Sequence, residues 1–549
     1  MKYLNYTFLL LLASALPLLT LLHPGLPITH DGQDHVARIA NFYASLSEGN
    51  IIPRWAGNLN WGYGHPILMF LYPLPSYFAS IFHLFGLSLV DSVKAVFGVS
   101  YILSALFMFF WLRNFLGKFP ALIGAIIYIY APYRFVDLYV RGAIGEHVAF
   151  IFMPAVCYFL LMLNKEKKLR FLYLSGLVLS SGGLILSHNA ISLMFFPFAA
   201  FYTIFLFWVY KSKFRLIYSI IGILYGFLIS AFFWVPAFME GKYTLRDIVT
   251  ENEALTRFVN LNELIYGAWS FGGTGVFSVQ LGIIQWAFIL LLPLAFYFLQ
   301  KRRREERNNI ILLAFVLLFF LSSIFIMLHL SKPVWEIITT LQKFQFPWRF
   351  LSVSVFFVSI LAAFVVYSIP NQKIQRLTFF LVLVVSVFLT KDYWKAQGFN
   401  YKPESFFTNI YESTTDTGES APIWSIRFME KKPKDTIEVI GGNAEIEKIS
   451  RNSTSRSYNI NSGENSTIRE NTLYFPGWKV FIDGEESSVE FQDPNNRGLM
   501  TFVLPQGSHR VDVKFEDTKL RALVDIASFL SVLGLGILGV VINKKWLKN

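Results

Sequence analysis

The chain holds a single cysteine, Cys157, inside an apolar run. One thiol excludes a disulfide within the chain and any cysteine-based metal site. Charge is also scarce: Asp, Glu, Lys and Arg make up 15% of 549 residues, against 54% hydrophobic and 17% aromatic residues. A soluble chain of this length rarely has that balance, whereas a polytopic membrane protein does. A Walker loop, a Rossmann fingerprint after a strand, HExxH and CxxC are all missing, so neither ATP nor a nicotinamide cofactor is expected. Acidic residues are the scarcer charge, 36 against 48 basic, for a net charge of +12. In a soluble protein that excess would raise nucleic acid as a partner. Here the basic residues stand in short connections between apolar runs, which is the pattern of membrane orientation, and no nucleic acid is expected.

Apolar runs are what the chain has in quantity. A span needs about 20 mostly apolar residues, sometimes as few as 17. Thirteen candidates stand at 3–22, 67–87, 93–112, 119–133, 147–163, 171–187, 189–210, 215–238, 281–299, 309–329, 348–369, 374–390 and 522–542. The first lacks a clear small-x-small cleavage site and is read as an uncleaved helix rather than a signal peptide. The run 67–87 is broken by Pro66, Pro73 and Pro75 and reads as an interfacial or re-entrant helix. Without it about twelve spans remain. Both termini then lie in the cytoplasm, together with the basic connections at 113–118, 164–170, 210–215, 300–307, 371–376 and 543–549.

On that reading the outer side carries 23–92, 132–147, a short turn at 187–189, 239–280, 330–347 and the long stretch 391–521. Residues 34–49 have apolar side chains at helical spacing and predict a helix lying on the membrane surface. The stretch 391–521 is polar, with alternating segments such as TLYFPGWKVFIDG and HRVDVKFED punctuated by turn dipeptides. It predicts a small all-β, sandwich-like domain outside the cell. The expected organisation is a membrane domain over 1–390 with outer loops 23–92 and 132–147. The β domain follows over 391–521, and a last helix with a basic cytoplasmic tail occupies 522–549.

The charges on that outer side are few and clustered. HDGQDH places Asp31 four residues before His35, and His30 four before Asp34. A carboxylate there suits a general base or a divalent-metal ligand; one of the pair is also suited to cap the surface helix. Arg134, Asp137 and Arg141 share a helical face, with Glu146 and His147 just beyond. Guanidinium groups suit phosphate, and a carboxylate among them orients them. Arg349, in FQFPWRF, enters the top of a span, where an arginine needs a partner or an interface. His188 sits in the SHN turn, and Arg246 lies in a long loop able to fold over a site. Trp55, Trp61, Tyr63 and Tyr72 suit a lipid groove or an anchor at the interface.

Taken together, GNIIPRW, GYGHPILMFLYPLPSYF, YVRGAIGEH, FQFPWRF and LYFPGWKVFIDG resemble the membrane proteins described as 6-pyruvoyl-tetrahydropterin-synthase-related. These are similar to the GT-C glycosyltransferase superfamily, near the YfhO-like and dolichyl-phosphate-mannose-type transferases. The resemblance implies a mainly α, GT-C-like polytopic fold with an extracytoplasmic β domain before the last helix. It implies inverting transfer of a hexosyl or pentosyl group from a polyprenyl-phosphate-linked donor to a glycan, lipid or protein acceptor outside the cell. Asp31 or Asp34 matches the acidic residue of the first outer loop, as base or metal ligand, and Asp137 or Glu146 the acidic residue of the next. Arg134, Arg141, Arg246 and Arg349 are the candidate phosphate-binding residues. His35, Trp55, His65, Tyr72 and His188 are the candidate substrate-binding residues. If a divalent cation such as Mg or Mn takes part, Asp31, Asp34 and His35 are its ligands; no other cofactor is implied. A transporter or flippase of a lipid-linked saccharide and a non-catalytic membrane assembly protein are the alternative classes. The first predicts mid-membrane charges and repeat symmetry, neither of which stands out here. The second would tolerate loss of the loop carboxylates.

Overall fold

The computed structural model describes residues 4–166, 171–272 and 277–546. Among these, eight helices are long and apolar enough to cross a membrane, or ten if two bent pairs each count as one span. The bent pairs are Lys118–Ile129 with Pro132–Arg141, at 48°, and Lys213–Ile229 with Ala231–Met239, at 66°. Two shorter apolar helices, Tyr6–Leu22 and Phe171–Ser187, fall below the length criterion. The expectation of about twelve spans therefore requires both of these to cross as well. The run 67–87 forms Ile67–Phe70 and Leu74–Leu84, each entered through a proline, and neither is long enough to span.

The helix over 351–367 is buried on every side and apolar all round, which suits the centre of a bundle. It packs on Lys118–Ile129 and on the helix over 303–325. Ile144–Lys165 is nearly as enclosed and packs between Leu89–Leu116 and Phe171–Ser187. At one end of the bundle the basic connections touch one another. Lys165 Nζ donates to the Asn114 carbonyl at 2.7 Å, Arg215 to the Glu166 carbonyl at 2.7 Å and Arg302 to the Ser368 carbonyl at 3.1 Å.

The β elements gather elsewhere. A two-residue ladder joins β1 (Leu26–Pro27) to β2 (Phe399–Asn400). The β domain has two antiparallel sheets. The first is ordered β4 (Ala444–Arg451), β5 (Ser455–Ser462), β10 (Gly507–Phe515), β7 (Trp478–Ile482), β8 (Glu485–Ser487). The second is ordered β3 (Ile437–Gly441), β6 (Ser466–Leu473), β9 (Leu499–Leu504). Strand β5 shows the alternation seen in sequence, with Arg456, Tyr458, Ile460 and Ser462 turned inward. Asp483 and Gly484, at φ 52° and 91°, make the tight β7–β8 turn, a backbone region that glycine and aspartate tolerate. Residues 401–436 lie outside these sheets, and Tyr411 and Ser413 among them bond to the backbone of residues 58–61.

Two ion clusters tie the start of the last helix, which follows β10, to the segment 23–92 and to Glu240 at the end of Ala231–Met239. Arg54 pairs with Asp517 at 2.9 Å and Asp525 at 2.6 Å. Arg521, fully buried at the head of the last helix, Lys519–Trp546, pairs with Glu240 at 2.7 Å. The core of the β domain also takes in Trp55, Tyr63 and Met69 from the segment 23–92.

Candidate active site

The two acidic stretches, at 30–34 and 137–146, meet through their backbones. The His30 and Asp31 amides donate to the carbonyls of Val140 and Arg141, each at 2.9 Å. Gly142, at φ +70°, permits this approach, since a Cβ there would strike Thr29. From Asp31 the chain enters the helix Gly32–Ser47, two residues ahead of the expected start. Asp31 holds the capping position, but its side chain makes no capping hydrogen bond. Asp34 lies in the first turn, where the helix dipole favours a negative charge. It is half-buried, and burial raises its carboxyl above the ordinary 3.8, against the opposing pull of Arg38. His35 is 4% exposed, with Nδ1 3.1 Å from Arg38 Nη1. Burial, then Arg38 and Arg141, hold its imidazole well below the usual 6.5. Neutral imidazole is thus the form that accepts from Arg38.

Behind this lip lies a denser cluster. Residues 136–141 form a π-helical turn, a widened geometry frequent at functional sites. Arg141 reaches Asp137 Oδ1 at 2.7 Å and Glu146 Oε1 at 2.8 Å, and its guanidinium lies 4.7 Å from the Trp348 ring centroid. Glu146 Oε2 accepts from Tyr133 at 2.8 Å and from Ser352 at 3.2 Å. Arg349 Nε stands 3.4 Å from Glu146 Oε1 and has no hydrogen-bond acceptor of its own. His188 Nε2 lies 3.9 Å from the same oxygen, and its ring stacks on Tyr72 with centroids 5.0 Å apart. Asp137 Oδ2 is likewise buried without a donor. Two arginines and two carboxylates are thus held together with little access to water, and two of their polar atoms remain unmatched.

Other expected residues stand apart from this cluster. Arg134 is fully buried, its guanidinium 3.9 Å from the Phe150 ring centroid and bonded to Ser104 at 3.2 Å, with Nε and Nη1 unpaired. Arg246 lies in a short segment beside Ala421 and makes none of the cluster's contacts. Trp55 is fully buried, edge-on to Trp478 at 5.3 Å, so its ring serves the β-domain core and has no face to offer a sugar. Trp61 and Tyr63 pack on that core too. His65 is fully buried, with Nε2 3.4 Å from Asp416 Oδ1. Of the candidate metal ligands, His35 turns Nδ1 toward the Arg38 guanidinium and leaves Nε2 buried without a hydrogen-bond partner. Among the described residues no three His, Cys, Asp or Glu side chains come together as a metal-holding group.

One contributor is missing from the sequence-based set of site residues. Residues 411–419 run across the helix Gly32–Ser47, which is largely buried rather than laid on a surface. Tyr411 donates to Asp34 Oδ1 at 3.2 Å, and Thr415 takes the Arg38 guanidinium through its Oγ1 at 2.8 Å and through its carbonyl. Asp416 accepts from the Gly418 amide at 2.9 Å and the Ser420 amide at 3.0 Å, while Glu419 accepts from Gln345 at 2.6 Å. The available signal was the compact D-x-G turn in TTDTGES, an aspartate that bonds its own backbone.

Fold and site together define a polytopic membrane protein with a buried arginine–carboxylate cluster under a carboxylate-bearing lip. Residues 68–399 match the family model for the 6-pyruvoyl-tetrahydropterin synthase related domain, a membrane protein, and the chain belongs to that family. An uncharacterized protein of Lactococcus lactis subsp. cremoris (strain MG1363) is 26% identical over 258 residues, 44% of this chain and 41% of the relative. The match thus spans about two fifths of that relative's length. Among solved structures, ArnT from Cupriavidus metallidurans bound to undecaprenyl phosphate is 13% identical with a TM-score of 0.40, covering 74% of this chain and 68% of that one. The arabinofuranosyltransferase AftD from Mycobacteria is 14% identical with a TM-score of 0.46, covering 72% of this chain and 28% of that one. Scores this low carry no inference about chemistry, which has to come from the chain's own side chains.

Proposed function

We propose that this protein is a membrane glycosyltransferase of GT-C type. It takes a sugar from a polyprenyl-phosphate-linked donor and passes it, with inversion, to an acceptor hydroxyl at the outer face of the cell membrane. The observation that supports the proposal is the backbone join between the Asp31–Asp34 segment and the Arg141 segment, which brings a carboxylate-bearing turn beside the arginine cluster. In this reading Asp34 is the base. The acceptor oxygen forms its bond to the anomeric carbon, and the carbon–phosphate oxygen bond breaks on the opposite side. The acceptor proton passes to Asp34, and the phosphate leaves with the electron pair toward Arg349 and Arg141. Arg349 suits that role because its Nε has no acceptor and 14% of its side chain is exposed. Glu146 and Asp137 fix the guanidinium groups in place. Tyr72 and His188 offer a flat stacked wall near the same cluster. The mutual contacts of the basic connections at the other end support a cytoplasmic placement of that end, with both termini inside and the β domain outside.

The test is a transfer assay in membranes containing the full chain and radiolabelled polyprenyl-phosphate sugars. Wild type is compared with Asp34→Asn, Asp31→Asn and Arg349→Ala. Asp34→Asn is expected to lower kcat by about a hundredfold or more at normal expression, and Arg349→Ala to weaken the donor's KM and lower kcat. Full activity in Asp34→Asn would move the chemistry away from the lip. A wild type inactive with every donor would favour a carrier of lipid-linked saccharide, to be sought by a lipid-flipping assay.

A further inference from the structure

Asp34 and Arg38 stand four residues apart on one helix, the spacing at which a carboxylate and a guanidinium normally pair. They do not pair here. The Arg38 guanidinium is drawn to the Thr415 hydroxyl and carbonyl and to His35 Nδ1, while Asp34 Oδ1 accepts from the Tyr411 phenol, 377 residues further along the chain. Both diversions come from the segment 411–419. That segment is itself anchored. The Tyr411 amide donates to the Asn58 carbonyl at 2.8 Å, its carbonyl accepts from the Trp61 amide at 2.9 Å, and its ring packs edge-on to Phe406 at 5.6 Å. The phenol therefore reaches Asp34 from a fixed base.

We infer that Tyr411 is a positioning residue for Asp34, and that residues 411–419 form a strap that completes the site by holding Arg38 off the carboxylate and presenting the carboxylate in one orientation. The inference rests on the reading of Asp34 as the base. A carboxylate paired to arginine is a poor proton acceptor; one held by a neutral phenol keeps its second oxygen for the acceptor hydroxyl. The groups facing Asp34 are Arg38 and Asp31 from its own segment and Tyr411 and Asp416 from the strap. Arg38 and Tyr411 favour its ionised form, Asp31 and Asp416 oppose it, and burial opposes it most. The Tyr411 phenol is pushed upward by burial and by Asp34, so it remains a donor throughout the working range.

The experiment measures Asp34 directly. Full-length protein in detergent micelles is treated with a hydrophobic carbodiimide, which attacks protonated carboxyls, and labelling at Asp34 is followed against pH by peptide mass spectrometry. Tyr411→Phe keeps the ring and its packing and removes only the donor. It is expected to raise the labelling midpoint by about one pH unit, while Ser47→Ala, exposed at the far end of the same helix, leaves it in place. In the transfer assay Tyr411→Phe should lower kcat about tenfold with the donor's KM unchanged, and move the acid limb of the rate profile upward by the same amount. An unchanged midpoint with Asp34→Asn inactive overturns the role of Tyr411 alone. Wild-type transfer by Asp34→Asn removes Asp34 from the chemistry and the positioning role with it.

Discussion

Replacing Glu146 by glutamine keeps the shape of the side chain and takes away the charge on which three groups converge. Its carboxylate is 1% exposed and faces Arg141 at 2.8 Å, Arg349 at 3.4 Å and His188 at 3.9 Å. Removing one member of a buried ion pair strands the other charge, at a cost of about 3–5 kcal/mol. The amide oxygen of glutamine can still accept from Arg141, and Arg141 keeps Asp137 at 2.7 Å. The lower end of the range, about 3 kcal/mol, is therefore expected. Unfolding of the full chain by a denaturing detergent in mixed micelles reads this as a fall in midpoint. Adding Arg349→Met to Glu146→Gln deletes a cation that the first change leaves unbalanced, so the pair should be less than additive by about 1 kcal/mol. A single variant within about 0.5 kcal/mol of wild type, or strictly additive effects in the pair, would mean that these charges do not support one another and that the cluster is wet or loosely held.

Two further outcomes follow from the same geometry. Because burial raises the Asp34 carboxyl above 3.8, its basic form is lost on acidification sooner than for an ordinary aspartate. Transfer should fall as pH drops through that raised value, with the limb absent from whatever residual rate Asp34→Asn retains. Gly64 stands at φ +81° with a Cβ position only 2.5–2.7 Å from the Trp55 ring. Gly64→Ala combines left-handed strain with an overlap against a fully buried tryptophan. It should cost about 1–3 kcal/mol and expose the β domain to protease, and unaltered proteolysis would show that Trp55 can move aside.

Much of the site was legible because its signals are local. A charge beside an apolar run is costly wherever the chain goes, so HDGQDH, YVRGAIGEH and FQFPWRF stood out before any fold was known. The place of Trp55 is not legible for the converse reason. An aromatic residue in a connecting segment looks the same in sequence whether it faces a sugar, a bilayer or a neighbouring domain, and here Trp478 and Phe515 take it. Arg246 shared the sign of Arg141 but not its partners. The strap was assigned with the β domain because its polar composition matches that domain, although the sheets begin only at Ile437.

What the sequence determined by itself is therefore the membrane class, the apolar helices, the polar segments between them, and the alternating strands of the β domain. Each depends on hydrophobicity summed over a handful of neighbouring residues, which no distant contact can alter. The Asp137–Arg141 pair is local, but tertiary structure alone decided the distant partners of these charges. Glu146 finds Ser352 206 residues away, and Asp34 finds Tyr411 377 residues away. Such pairs form only after the bundle has closed and the strap has folded back across the helix Gly32–Ser47. Their energy lies in exclusion of water and in geometry set by elements far apart in the chain, so no pattern at either end announces the other.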